Sequence, residues 1–252
     1  MTTLRRNNVL VLALLAVSIT IGSSQEAPFA VVHRPQTLED ALRERGITDQ
    51  SKQSLIAALH DSDWQVRGIA ANKLAADGHL DAIPAIESAL SAEEDLNTQA
   101  NLAEALWVLH DPKGVEHLHS MCTNEKLPLT GLLAAIRTLQ IIQVTSGECA
   151  VTLMAAMGRK NEPGELAMAV SMLPVIYREV TPNQASAIFI LIRVLFADRT
   201  QEPFVRLLAG QALAQIRSPE AAELLRREIS LETDPAMQEA FERDLEEIEK
   251  NR

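Results

Sequence analysis

A leucine recurs along the chain at an interval of about 33 residues, and this repeat constrains the fold more than any other feature. Small or apolar residues precede each leucine by three or four positions, as they do on the buried face of a helix. The repeated positions are Leu42, Leu74, Leu106, Leu139, Leu173, Leu213 and Leu245. A period of this length, with two helices per unit, predicts an all-α, right-handed α-solenoid of about six antiparallel helix pairs.

The amino-acid composition agrees with packed helices. Apolar residues make up 47% of the chain, mostly Ala, Leu, Ile and Val, whereas aromatic residues make up only 3%. Helices favour such residues, and β-sandwiches use more aromatic and β-branched ones. After Pro35 no stretch alternates like a strand, and turn signals such as Asp77-Gly78 and Asp111-Pro112 separate the apolar blocks.

These blocks predict where each helix pair lies. A truncated unit at 36–45 is expected first, with Thr37 and Asp40 as a capping box and Gly46 as the stop signal. The predicted pairs that follow are 51–60 with 64–76, 79–91 with 96–109, 113–123 with 129–143, 147–158 with 165–179, 183–197 with 203–216, and 219–230 with 235–249.

The N-terminal residues have the pattern of a secretory signal. Arg5 and Arg6 precede the apolar run 9–21, and Gly22-Ser23-Ser24 supplies small residues for cleavage before Gln25. As a helix the apolar run would span about 20 Å, which is short for a hydrocarbon core of about 30 Å. Cleavage is therefore favoured over the alternative, in which the run is kept as an anchor.

The domain organisation predicted from these features is a signal peptide at 1–24, a linker at 25–36 and a solenoid domain at 37–252. The predicted localisation is export to the periplasm or the extracellular space.

Cys122 and Cys149 are the two cysteines of the chain. An oxidising compartment would allow a disulfide between them. In the predicted repeat, however, they lie near opposite ends of neighbouring, roughly parallel helices, about 10 Å apart along the axis. Two buried free thiols are therefore preferred over a disulfide.

One segment carries a family resemblance. Residues 61–67, Asp-Ser-Asp-Trp-Gln-Val-Arg, followed by Ala70-Ala71-Asn72-Lys73-Leu74, closely resemble the turn and second helix of a HEAT repeat. The type is similar to the HEAT-like repeats of phycobilisome lyases, and Val205-Arg206 repeats the Val-Arg spacing to the next leucine. The resemblance implies a HEAT-like fold in which Asp61 and Arg67, six residues apart, take part in a structural ladder between units.

Common signatures of catalysis and cofactor binding are missing from the sequence. We find no GxSxG elbow, phosphate-binding loop, HExxH helix or paired CxxC motif, so no catalytic residue and no cofactor is predicted. The cluster that most resembles a metal site is His110, His117 and His119. Because His117 and His119 point to opposite sides of a predicted helix, no metal is predicted.

Charge restricts the classes of partner. The chain has a net charge of -11, which disfavours binding to nucleic acid or to anionic lipid. No membrane contact is expected unless the N-terminal run is retained as an anchor. Acidic residues are concentrated in the last helix, where they are interpreted as the polar outer face of a terminal cap: Glu239, Glu242, Asp244, Glu246, Glu247 and Glu249.

A surface for a protein or peptide partner is predicted on the second helices of the third to fifth units. Transferring one helical wheel from unit to unit gives seven candidate residues: Arg137, Ile141, Met168, Met172, Leu208, Gln211 and Gln215. Adaptable apolar side chains with a polar rim suit a peptide or a helix. The alternative is that the wheel is rotated by one position and these residues are core.

The function expected from the sequence is an exported, non-catalytic α-solenoid that binds or scaffolds another protein. The alternative is an enzyme-associated, lyase-like HEAT module, because repeats of the resembled type also occur in proteins that handle chromophores.

Overall fold

The computed structural model describes residues 37–250. The predicted signal peptide and linker lie outside the described residues. The described part of the chain holds thirteen α-helices and no strand, as the predicted all-α, HEAT-like solenoid requires. The helices are α1 (Leu38–Glu44), α2 (Lys52–Ala58), α3 (Trp64–Ala76), α4 (Ile83–Ala92), α5 (Leu96–Val108), α6 (Lys113–Thr123), α7 (Leu129–Ile141), α8 (Ala150–Met157), α9 (Pro163–Glu179), α10 (Pro182–Ala197), α11 (Pro203–Ile216), α12 (Pro219–Leu231) and α13 (Pro235–Lys250). Short 3₁₀ turns, Leu80–Ala82 and Gly147–Cys149, precede α4 and α8.

The helix boundaries follow local capping chemistry. Thr37 accepts a hydrogen bond from the backbone N–H of Asp40, which starts α1 as the sequence predicts. Gly46 has a φ of 86°, a left-handed conformation that glycine adopts readily after a helix. Helices α9 to α13 each begin with a proline, which lacks the N–H that the first turn leaves unpaired.

The chain divides into two compact units. The first unit extends to Val115, and in it α1 and α2 pack against α3, α3 packs against α5, and α4 packs against α5. Apolar side chains of these helices form one buried core, which includes Leu42, Leu74 and Leu106.

The second unit begins at Glu116. Here α9, α11 and α13 form an inner row in which α11 contacts both neighbours. Helices α10 and α12 pack on the outer side of this row, and α8 contacts α9 and α10. Phe196 and Phe241 meet edge to face in the core, with ring centroids 4.7 Å apart.

The recurrent leucine is a core position. Leu42, Leu74, Leu106, Leu139, Leu173 and Leu213 are fully buried, and the last one, Leu245, is partly buried on the terminal helix. The repeat therefore marks the side chain around which each helix pair packs.

Cys122 and Cys149 form a disulfide, so the prediction of two free thiols is wrong. The Cα atoms lie 4.4 Å apart because the C-terminal turn of α6 meets the 3₁₀ turn before α8. His119 and Glu148 meet at the same place, with 2.7 Å between Nδ1 and Oε1. The prediction failed because it assumed that the two helices run side by side in register. In that arrangement the two cysteines, near opposite helix ends, would lie too far apart for a bond.

Among residues 37–250 no helix combines the length and the apolar character that a membrane span needs.

Candidate functional site

The seven predicted partner-binding residues lie on three helices of the second unit: Arg137 and Ile141 on α7, Met168 and Met172 on α9, and Leu208, Gln211 and Gln215 on α11. Met168, Gln211 and Gln215 are exposed, and the other four are half-buried. None of the seven belongs to the buried core. The structure brings α9 into contact with both α7 and α11, so the three helices are neighbours.

The most apolar part of this surface lies at α9 and α11. Met168 is 50% exposed and stands five positions before Leu173, while Leu208 stands five positions before Leu213. Met168 and Leu208 thus hold equivalent repeat positions on α9 and α11, two helices that are in contact. We call Met168, Leu208 and Phe204 the apolar strip.

Phe204 was not among the residues predicted from the sequence. It lies four residues before Leu208, on the same side of α11, and is 48% exposed. The i, i+4 spacing from Leu208 was the signal that could have found it. With Phe204, the strip gains an aromatic side chain of the kind that contributes strongly to protein interfaces.

An acidic residue stands directly before each inner helix of the second unit. Glu162, Glu202 and Asp234 directly precede α9, α11 and α13, and all three are exposed. Asp234 accepts backbone hydrogen bonds from the first turn of α13, and Glu162 takes part in a capping box. The starts of the three inner helices therefore carry three exposed carboxylates.

The first unit holds a buried ion pair that differs from the predicted ladder. Arg67 binds Glu93 through two hydrogen bonds of 2.6 Å, from Nε to Oε2 and from Nη2 to Oε1. Its contact with Asp61 is to the backbone carbonyl, at 2.9 Å, whereas the Asp61 carboxylate accepts the N–H of Asp63. The predicted pairing of Asp61 and Arg67 through their side chains is corrected: the carboxylate partner of Arg67 is Glu93.

A second arginine–glutamate ion pair of this kind lies in the second unit. Arg206 donates from Nη2 to Glu232 at 2.7 Å and from Nε to the carbonyl of Phe196 at 3.2 Å. The partner glutamate again follows the arginine by 26 residues. Arg206 also lies over the ring of Phe241, 5.6 Å from its centroid.

Both glutamates are held in the ionised form. Burial alone would raise the pKa of Glu93, but hydrogen bonds from Arg67 and from nearby backbone N–H groups hold the pKa below its usual value. Burial alone would also raise the pKa of Glu232, but backbone hydrogen bonds and Arg206 hold this pKa below its usual value. These two ion pairs stabilise the turns between neighbouring helices.

Asp244 does not lie on the polar outer face to which the sequence analysis assigned it. Its Oδ2 atom is buried and has no hydrogen-bond partner among the described residues. A Cβ placed on Gly210 would approach this oxygen to 2.9 Å, so α13 rests closely on α11 there. Burial, followed by repulsion from Glu247, raises the pKa of Asp244 to about 7.

The three histidines do not converge on a metal site. His119 is bound to Glu148, and burial lowers the pKa of His117. His110 adopts a positive φ of 66° just after α5. Within 37–250 we find no group of three potential metal ligands.

The fold and these turns define a class, a HEAT-like α-solenoid. Residues 53–140 match the family model of HEAT repeats, and this confirms the resemblance seen at residues 61–74. The finer resemblance to the phycobilisome-lyase type stays a prediction. A search among curated proteins gave no match.

One similar solved structure is that of human deoxyhypusine hydroxylase in complex with glycerol. It shares 17% identity, with a TM-score of 0.41, and the alignment covers 84% of this chain and 79% of that chain. This likeness is too distant to transfer an activity. The expected function is nevertheless corrected, because none of the comparisons shows export or scaffolding. The prediction of an exported, non-catalytic scaffold was wrong.

Proposed function

We propose that the second unit binds a short protein segment that combines apolar and basic residues. The observation that carries this proposal is the apolar strip, in which three apolar side chains lie exposed or half-buried on two packed helices. The proposal concerns this binding surface only and leaves open whether the chain is also catalytic.

The apolar strip suits a helix or a peptide. Met168 can adapt its unbranched side chain to different partners, and Phe204 offers a flat, rigid surface. Gln211 continues the same face of α11 beyond Leu208 and can hydrogen-bond a peptide backbone. An apolar core bordered by polar groups is the usual anatomy of a protein interface.

The charge of the rim selects the class of segment. Glu162, Glu202 and Asp234 form an acidic border at the starts of the inner helices, and the whole chain has a net charge of -11. Basic side chains next to the apolar residues of a partner would be attracted to this border, whereas acidic ones would be repelled. Nucleic acid and anionic lipid surfaces are disfavoured for the same reason.

Fluorescence anisotropy with two helical peptides tests the proposal. One peptide is built from leucine and lysine, and its matched partner has glutamate in place of lysine. We expect the leucine–lysine peptide to bind the full chain and the leucine–glutamate peptide to bind at least roughly tenfold more weakly. Equal binding of both peptides, or of neither, would contradict the proposal.

A double variant locates the site. Met168→Ser with Phe204→Ser removes the two most exposed side chains of the apolar strip, and we expect the affinity to fall by roughly tenfold or more. Val194→Ser is the matched control, since Val194 is 54% exposed but lies on α10. If the control and the double variant lose affinity equally, the site is not the apolar strip.

For localisation, we propose that the chain folds in an oxidising compartment such as the periplasm or the extracellular space. The disulfide between Cys122 and Cys149 supports this, because such bonds persist mainly in oxidising environments. Intact-mass measurement of protein produced with its full N-terminal sequence tests the proposal, because it shows whether the predicted signal peptide is removed and whether the two cysteines are oxidised. Recovery of a full-length chain with two free thiols from its native host would overturn the proposal.

A further inference from the structure

Asp244 lies at the contact between the last two inner helices, and it takes no part in the proposed peptide binding. Its Oδ2 atom is buried without a hydrogen-bond partner among residues 37–250. On the facing helix, the missing side chain of Gly210 leaves just enough room for this carboxyl group. The ring of Phe241, one turn earlier on α13, packs against the same glycine.

An ionised carboxylate is costly at such a position. Asp244 as a whole is half-buried, but its Oδ2 atom, when ionised, would lose its hydration and gain no hydrogen bond in exchange. A neutral carboxylic acid tolerates the same place far better, because it carries no net charge. The contact between α11 and α13 therefore depends on whether Asp244 carries a proton.

Neighbouring charged groups do not remove this cost. On α13 itself, Glu247 raises the pKa of Asp244 and Arg243 opposes it, but burial is the largest cause and the pKa rises to about 7. At the end of α11, Arg217 is bound to Glu247 at 3.2 Å.

The other arginines of α11 and α12, the helices packed against α13, lie next to carboxylates other than Asp244. Arg206 of α11 binds Glu232, with 2.7 Å between Nη2 and Oε2. On α12, Arg226 binds Glu249 at 2.6 Å, and Arg227 lies 3.8 Å from the buried Glu228.

We propose that Asp244 makes the docking of α13 on α11 a pH-controlled contact, firm when the carboxyl group is neutral and loosened when it is ionised. The response falls near neutral pH, unlike that of an exposed carboxyl group, which titrates near pH 4. Opening of α13 would hydrate Asp244 and expose Phe241, the aromatic side chain that α13 contributes to the core.

Hydrogen exchange on the full chain, measured from pH 5 to pH 8.5 and corrected for intrinsic exchange rates, tests the proposal. The opening equilibrium of α13 should rise about tenfold per pH unit between pH 5 and 7 and then level off. Amides of α9 should change far less over this range. A flat pH dependence for α13, or an equal rise in α9, would overturn the proposal.

Two variants show whether Asp244 causes the pH dependence of hydrogen exchange in α13. Asp244→Asn keeps the shape of the side chain but cannot ionise, so the pH dependence of α13 exchange should disappear. Glu242→Gln removes an exposed carboxylate of the same helix and should leave the pH dependence unchanged. If Asp244→Asn keeps the original pH profile, Asp244 is not the controlling group. Because the readout is helix opening and not peptide binding, the result is independent of the proposed function.

Discussion

Arg67 and Glu93 are joined by two parallel hydrogen bonds, each 2.6 Å long, between α3 and the residue that follows α4. The side chain of Glu93 is 3% exposed and that of Arg67 is 19% exposed. The same glutamate accepts the backbone N–H groups of Glu94 and Asp95. One carboxylate thus ties an arginine to the turn that starts α5.

Removing this arginine should destabilise the first unit. Arg67→Ala leaves the buried carboxylate of Glu93 without its cation, and we expect a loss of about 1 to 3 kcal/mol in the free energy of unfolding. Urea denaturation followed by circular dichroism measures the loss. Arg43→Ala is the matched control, because Arg43 forms an exposed pair with Asp40 and should cost less than about 0.5 kcal/mol. Equal effects would mean that the Arg67 pair behaves as a surface pair.

Stability should be greatest in mildly acidic solution. Glu93 and Glu232 have lowered pKa values in the folded chain, so their contribution is present above the ordinary value of 4.5 and is lost as the pH falls through the folded pKa. Asp244 acts in the opposite sense, because its pKa of about 7 makes the folded state less stable as the pH rises towards 7.

The two effects together predict a maximum in unfolding free energy close to about pH 4.5, because the Asp244 effect already lowers stability from there up to about pH 7. Denaturation curves at intervals of half a pH unit would locate it. In Asp244→Asn the decline on the alkaline side should become shallower. A maximum above pH 8 would show that Asp244 is solvated in the folded chain.

Reduction of the disulfide should weaken the second unit. Cys122 and Cys149 close a loop with a sequence separation of 27 residues, which corresponds to about 2 to 4 kcal/mol of stabilisation. Unfolding of oxidised and reduced protein, with a thiol titration on each sample, measures the difference. Two reactive thiols in denatured, unreduced protein would refute the bond itself.

Gly114 lies close to the backbone of α5. A Cβ at this position would lie 2.2 Å from the carbonyl oxygen of Ala103, a backbone atom that cannot move aside easily. Gly114→Ala should therefore destabilise the first unit by about 2 kcal/mol or more. Gly164→Ala is the matched control near the start of α9, where a Cβ meets nothing within 4 Å, and it should be neutral or slightly stabilising. Thermal melting of both variants tests the contrast.

Much of the fold could be predicted from the sequence because each helix carries its own signals. The predicted ranges 64–76, 113–123 and 203–216 match α3, α6 and α11 at both ends. Asp63 at the start of α3 and the proline that begins α11 are strong local boundaries. The recurrent leucine identified the core face in each unit.

The contacts between helices were harder to predict. The pairing of Arg67 with Glu93 depends on how two helices cross, and the resemblance directed attention to Asp61 instead. A signal was nevertheless present, because Arg206 and Glu232 repeat the 26-residue separation and an aspartate follows each glutamate by two positions. The disulfide and the burial of Asp244 also depend on helix placement, which a helical wheel does not contain.

Methyl NMR of the full chain, labelled at the methionine methyl groups, tests the central claim most directly. The chain has 7 methionines, of which Met168 lies on the apolar strip while Met121 and Met157 are buried elsewhere. Adding the leucine–lysine peptide should shift the Met168 signal in a saturable manner and leave those of Met121 and Met157 almost unchanged. A Met168 signal that stays in place while the peptide binds would contradict the account, because binding would then occur on another surface.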